Sequence, residues 1–271
     1  MSQAVRPQSP GPDLWVCHLG AVPYASALAV QESLRARRQA GEIPDTLLLL
    51  EHPPVYTLGR RACAQELPLG AAHHRERGIE VVEVDRGGKV TYHGPGQLVG
   101  YPIMAIADVL VHVRRMEQAI VRALEGEGLR ARARTEDGAD YTGVWVAERK
   151  IASIGVHVRR GVSTHGFAVN VHNDLAPFAQ VIACGLPGVS MTSIELERAR
   201  ADASVRAPGQ GCARDMECFR RRMAYEFCRV HGRRQRLLSA RALGIEAAMS
   251  APSEADAAAL RSERVLAPVG A

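Results

Sequence analysis

Between residues 143 and 171 three runs of strand-forming residues follow one another almost without spacing: GVWVAE (143–148), KIASIGVHV (150–158) and THGFAVNV (164–171). A strand can reach a parallel neighbour only through a crossover of a dozen or more residues, whereas an antiparallel neighbour needs as few as two. The first two runs therefore predict a tight hairpin around Glu148–Lys150, and the third continues an antiparallel sheet. A chain so constrained cannot be a simple repetition of strand–helix–strand units.

The rest of the sequence fits a single mixed α/β domain of the α+β type, with a largely antiparallel sheet and flanking helices. LWVCHLG (14–20), TLLLLEH (46–52), VYTLGR (55–60), IEVVEV (79–84, expected to be buried) and LVGYPIM (98–104) are further strand candidates. Residues 23–41 predict a helix with Pro23 near its start, Leu28 and Leu34 facing inward and Gly41 as its stop. In 107–129, Val109, Val113, Met116, Ile120 and Leu124 recur at helical spacing behind Asp108, a plausible N-cap. Residues 213–232 carry a similar stripe of Met216, Phe219, Met223 and Phe227. The expected organisation is a tail over 1–12, a catalytic domain over 13–232, and a helical or flexible appendix over 233–271.

Composition narrows the function classes. Hydrophobic residues make up 46% and charged residues 23% of 271, which suits a folded globular chain. No run is long and apolar enough to span a bilayer, and MSQAVRPQSPGP has no apolar core of a secretory signal, so a cytoplasmic protein without membrane contact is expected. The net charge of +5 suits an acidic partner, but aromatic residues at only 4% are too sparse for a surface that stacks single-stranded bases. Cysteines 17, 63, 184, 212, 218 and 228 follow no zinc spacing and are expected as free thiols, all but Cys184 as core filler.

Of 34 basic residues only Lys89 and Lys150 are lysine, in a chain that otherwise uses arginine for positive charge. A lysine kept against that bias fits a role that needs an amine able to give up its proton, which a guanidinium cannot do. Lys150 follows the hairpin turn and is expected to share a strand face with Ala152, Ile154, Val156 and Val158. Cys184 stands in VIACGLPGVSMTSI, a constrained turn unlike the helical settings of Cys218 and Cys228, and a loop cysteine can act as a nucleophile when a neighbour stabilises its thiolate. RGGKVTYHGPGQ (86–97) matches neither a phosphate-binding P-loop nor a dinucleotide fingerprint. Its glycines allow a close backbone approach to a ligand, the plain alternative being a polar hairpin loop.

The string from Arg86 to Tyr101, together with GVWVAERKIASIGVHV, THGFAVNV and ACGLPGVSMTSI, resembles the octanoyltransferases of lipoate biosynthesis, the lipoyl(octanoyl) transferase or lipoate-protein ligase B family. LLLLEHPPVYTLGR resembles the segment ahead of that signature, and the likeness spans roughly residues 14–232. It implies a fold like that of biotin and lipoate protein ligases. It also implies transfer of an octanoyl group from octanoyl-acyl carrier protein to a lysine of lipoyl domains, in 2-oxoacid dehydrogenases or the glycine-cleavage H protein. Cys184 would be the acyl-enzyme nucleophile and Lys150 its proton partner. The acyl site would be lined by Arg86, Gly87, Gly88, Lys89, Val90, Thr91, Tyr92 and His93, by Ser153, Ile154, Gly155 and His157, and by Gly166, Phe167 and Ala168. Because the donor is already a thioester, no cofactor, ATP or metal is required. A monomer is expected, since no long apolar face stands out. The alternatives are an ATP-dependent lipoate or biotin ligase on the same fold, or a basic nucleic-acid-binding module built around the RGG loop.

Overall fold

The computed structural model describes residues 11–182, 186, 188–204 and 216–249. Strand β1 (Asp13–Ala21) leads into helix α1 (Tyr24–Gln39), then β2 (Thr46–Glu51) and β3 (Val55–Leu58). Helix α2 (Gly70–Arg75), β4 (Glu80–Glu83), β5 (Val90–His93), β6 (Gln97–Ile103) and α3 (Val109–Glu125) follow. The second half comprises β7 (Ala131–Ala133), β8 (Gly143–Val146), β9 (Arg149–Arg159), β10 (Val162–Asn170), α4 (Ile194–Ser204) and α5 (Met216–Val230). The described residues end with β11 (Arg234–Leu237), α6 (Ala240–Leu243) and α7 (Glu246–Met249).

An eight-stranded sheet runs in the order β11-β1-β2-β6-β10-β9-β8-β7. Its pairings are antiparallel except at β11–β1 and β1–β2. The sheet is covered on both faces, which explains the unbroken leucine run of β2. Leu47 and Leu49 pack with Met116 and Ile120 of α3 and Phe219 and Phe227 of α5. Leu48 and Leu50 pack on the opposite face with Val30 and Leu34 of α1. Asp108 caps α3 by accepting a hydrogen bond from the Val111 amide at 2.9 Å.

A small sheet, β4-β3-β5, stands beside the large one. The glycine-rich segment 86–97 is thus divided: Val90–His93 forms β5 in the small sheet, and Gln97 begins β6 in the large one. Gly96 makes the transfer with φ +85°, where a Cβ would lie 2.5 Å from His172 Nδ1 and 2.8 Å from the Asn173 amide.

Four sequence expectations change. β4 is an edge strand of partly exposed residues and not a buried one, because it has a neighbour on one side only. Val109 is 46% exposed, since the stripe of α3 reaches the core only from Val113 onward. Cys63 is exposed on a surface turn, whereas Cys17 and Cys228 are core thiols that burial pushes up to about 11 and about 12; Cys218 is half-buried. Finally, residues 234–237 extend the sheet, and Leu243 and Ile245 enter the α1-side core, so the chain after 232 begins as part of the domain. Cys212, the residues before 11 and those after 249 lie outside the described residues. Among the described residues no helix is long and apolar enough to cross a membrane.

Candidate active site

A cavity of about 290 Å³ opens where the glycine-rich loop, β9, β10 and the start of α3 meet. Its size suits a single narrow ligand group. Val99, Ile154, Val156, Phe167 and Ala168 supply apolar wall, and Tyr24, Thr91, His93, Tyr101 and His165 supply polar groups. Val109 and Val113 of α3 line it as well, as do Arg61 and Asp140, whose side chains pair at 3.2 Å.

Lys150 lines this cavity with a side chain only 1% exposed. Its expected face is corrected by a β-bulge. Trp145 pairs with Lys150 but Val144 pairs with Ala152, so Ile151 is an extra residue that reverses the alternation. Lys150 consequently faces the side of Trp145, its Nζ 5.3 Å from the ring centre, while Ala152, Ile154 and Val156 pack with the α3-side core. Gly143 makes room for it: at φ +136° it has no Cβ, which would stand 2.9 Å from Lys150 Cε. Among the described residues Nζ has no hydrogen bond or ion pair. The backbone of Lys150 is held by the chain near 191. Its N–H donates to Ser190 O and its carbonyl accepts from the Thr192 N–H, both at 2.9 Å.

Arg86 is 7% exposed, and its guanidinium is spent on the loop itself. Nη2 donates to Thr57 O at 2.7 Å and Lys89 O at 2.8 Å, and Nη1 donates to Gly87 O at 3.0 Å. Gly87 in turn donates to Val156 O at 2.9 Å, seating the loop on β9. The tight fit is why Gly155 carries no side chain: a Cβ there would meet Gly87 O at 2.7 Å. Lys89 lines the cavity with its ammonium 3.1 Å from the buried Glu66.

His93 is buried and neutral. Burial first, then the charge of His52, pushes it down to about 3, and its Nδ1 lies 2.7 Å from Gln97 Oε1. The amide oxygen can only accept, so Nδ1 carries the proton. His52 is held down to about 4 by burial; its Nδ1 donates to Val22 O and its Nε2 accepts from Tyr101 OH, each at 2.6 Å. His165 sits in β10 with φ +55°, an uncommon backbone for a non-glycine residue, and its Nε2 lies 2.8 Å from Asp85 Oδ1.

The residues nominated from sequence separate cleanly. Arg86, Gly87, Gly88, Lys89, Val90, Thr91, His93, Lys150, Ser153, Ile154, Gly155, Gly166, Phe167 and Ala168 line the cavity. Tyr92 does not, because alternation along β5 turns its ring onto Tyr56 and Phe178. His157 does not either; its Nε2 lies 3.7 Å from Asp85 Oδ2. Cys184 lies outside the described residues. Tyr24, Tyr101 and His165 were missed by the sequence reading, since only the packing of α1 and β6 against β10 brings them to the wall.

Residues 23–206 match the family of the lipoyl protein ligase A/B catalytic domain. The chain is 48% identical to an octanoyltransferase of Rubrobacter xylanophilus over 185 residues, covering 67% of this chain and 82% of that one. It is 44% identical to an octanoyltransferase of Geobacter sulfurreducens over 210 residues, covering 74% and 85%. Among solved structures, a lipoate-protein ligase A bound with ATP superposes with a TM-score of 0.64 at 18% identity, over 87% of this chain and 92% of that one. A bipartite lipoate protein ligase from Thermoplasma acidophilum gives 0.56 at 18% identity, over 88% and 91%; both are similar in fold. This chain belongs to the octanoyltransferase family, acyltransferases built on the lipoyl protein ligase A/B catalytic domain.

Proposed function

We propose that the protein transfers an octanoyl group from octanoyl-acyl carrier protein to a lysine of a lipoyl domain, through a thioester on Cys184, with Lys150 as its proton partner. The observation that carries this reading is Lys150 itself. It is a fully buried amine on the wall of a partly apolar cavity, bonded through its backbone on both sides to residues 190–192, which follow Cys184 closely in the chain. Before Cys184 in the chain, Ile182 N–H donates to Glu66 O at 3.0 Å, and Glu66 holds Lys89 at the cavity.

The chemistry balances without a cofactor. The Lys150 amine takes the thiol proton, and the Cys184 thiolate attacks the donor carbonyl. The carbon–sulfur bond to the carrier breaks as the new one forms, and the Lys150 ammonium returns its proton to the departing thiolate. In the second half the neutral amine of the acceptor lysine attacks the acyl-enzyme. It loses its proton to Lys150, and Cys184 leaves as the thiolate and is reprotonated. The apolar wall would hold the acyl chain, each buried methylene contributing at most about 0.8 kcal/mol. His93 and Arg86 shape and seat the loop and take no part in the proton transfers.

Cys184→Ser tests the route. Transfer from octanoyl carrier protein to a lipoyl domain is expected to fall to background, with ping-pong kinetics in the parent. Transfer that survives the substitution, or that requires ATP, contradicts it and favours the ligase chemistry.

A further inference from the structure

Glu197, in the first turn of α4, is 5% exposed, and donors from three residues converge on it. Arg149 grips it with both ends of its fork, Nε donating to Oε1 and Nη2 to Oε2, each at 2.7 Å. Thr192 Oγ1 donates to Oε1, and Arg200 Nη1 donates to the same oxygen at 2.6 Å. Two of these partners bracket Lys150. Arg149 precedes it on β9, and Thr192 donates its backbone N–H to the Lys150 carbonyl.

A second buried chain reaches the same threonine. Its carbonyl accepts from Asn170 Nδ2 at 2.9 Å, Asn170 Oδ1 accepts from Gln97 Nε2 at 2.9 Å, and Gln97 Oε1 accepts from His93. Segment 190–192 is therefore fastened to the signature loop on one side and, through a single carboxylate, to the base of the Lys150 strand on the other. Lys150 also sits directly at a bulge, where strand register is least constrained by pairing.

We infer that Glu197 is a positioning residue for acyl transfer: by clamping Arg149 to Thr192 it holds Lys150 in register with the segment leading back to Cys184. The inference rests on the assignment of those two residues proposed above. An amide at position 197 has the same shape but puts an N–H₂ against Arg149, breaking the forked pair. Lysine at position 149 keeps the charge and loses the fork.

The test is single-turnover acylation of Cys184 by octanoyl carrier protein, followed by intact mass, for the full chain and for Glu197→Gln and Arg149→Lys. The expected result is a 10- to 100-fold lower maximal rate in both variants, as misplacement on the ångström scale produces. Half-saturation in donor should stay within about threefold of the parent, because neither residue lines the cavity. Circular dichroism at the assay temperature gives the folded fraction. Parental rates in both variants overturn the inference, as does a loss that only tracks the folded fraction; if Glu197→Gln does not fold, Arg149→Lys decides alone. No adduct on the parent, or an adduct that persists in Cys184→Ala, refutes the assignment of Cys184 instead.

Discussion

Lys150 and Trp145 stand opposite each other on β9 and β8, the amine 5.3 Å from the indole ring centre. The ring supports the lysine stem and favours a cation near its face, yet offers nothing to accept a proton. Lys150→Arg keeps the charge but not the ability to take a proton, and Lys150→Met keeps the bulk of the stem. Both should lose at least about 100-fold in turnover with little change in far-ultraviolet dichroism. Activity of the arginine variant within fivefold of the parent would show that charge alone suffices.

Gly143 tests how tightly that amine is housed. A Cβ would lie 2.4 Å from Ala152 O and 2.9 Å from Lys150 Cε, at a φ that side chains rarely adopt. Gly143→Ala should cost about 2 kcal/mol and lower Tm by roughly 4–8 °C, with turnover reduced even well below the transition. An unchanged Tm by calorimetry would mean that the hairpin opens freely.

Arg86 is expected to act on the loop and not on the substrate. Lysine there cannot satisfy Thr57 O, Gly87 O and Lys89 O together, so Arg86→Lys should cost about 2–3 kcal/mol in urea unfolding. The Michaelis constant for donor should rise as the loop loosens. A stability change under about 0.5 kcal/mol would contradict this role.

Much of the architecture is legible in the residues, and the parts that are not share a physical reason. The hairpin at Glu148, the cap at Asp108 and the stripe of Met116, Ile120 and Leu124 are local patterns, and each is where its spacing puts it. The bulge at Ile151 leaves no mark on composition, yet it decides which way Lys150 points. Tyr24, Tyr101 and His165 reach the cavity only through contacts between distant elements. The RQRL strand after 232 has no apolar alternation to announce it, because it is an exposed edge strand.

Acid should weaken the fold before it touches most carboxylates. Burial holds His52, His112 and His231 down to about 4 and His93 to about 3, so all four are neutral when folded and bind protons below about pH 6.5 when unfolded. Stability is then complete above pH 6.5 and falls as pH drops toward 4. Glu197 adds a later loss. Burial pushes its carboxyl up, but Arg149, Thr192 and Arg200 outweigh that and hold it at about 2, so its contribution disappears between about pH 4.5 and 2. Tm followed from pH 8 to 4 should begin to decline near 6.5; a flat profile down to pH 5 would contradict the buried neutral histidines.

Intact mass spectrometry reads the proposed octanoyl thioester on Cys184 directly. After brief incubation with octanoyl carrier protein and no acceptor, the parent should gain one octanoyl group, mapped to Cys184 and removed on adding a lipoyl domain. No such mass on the folded parent, or an equal gain on the Cys184→Ala variant, would rule out Cys184 as the acyl carrier.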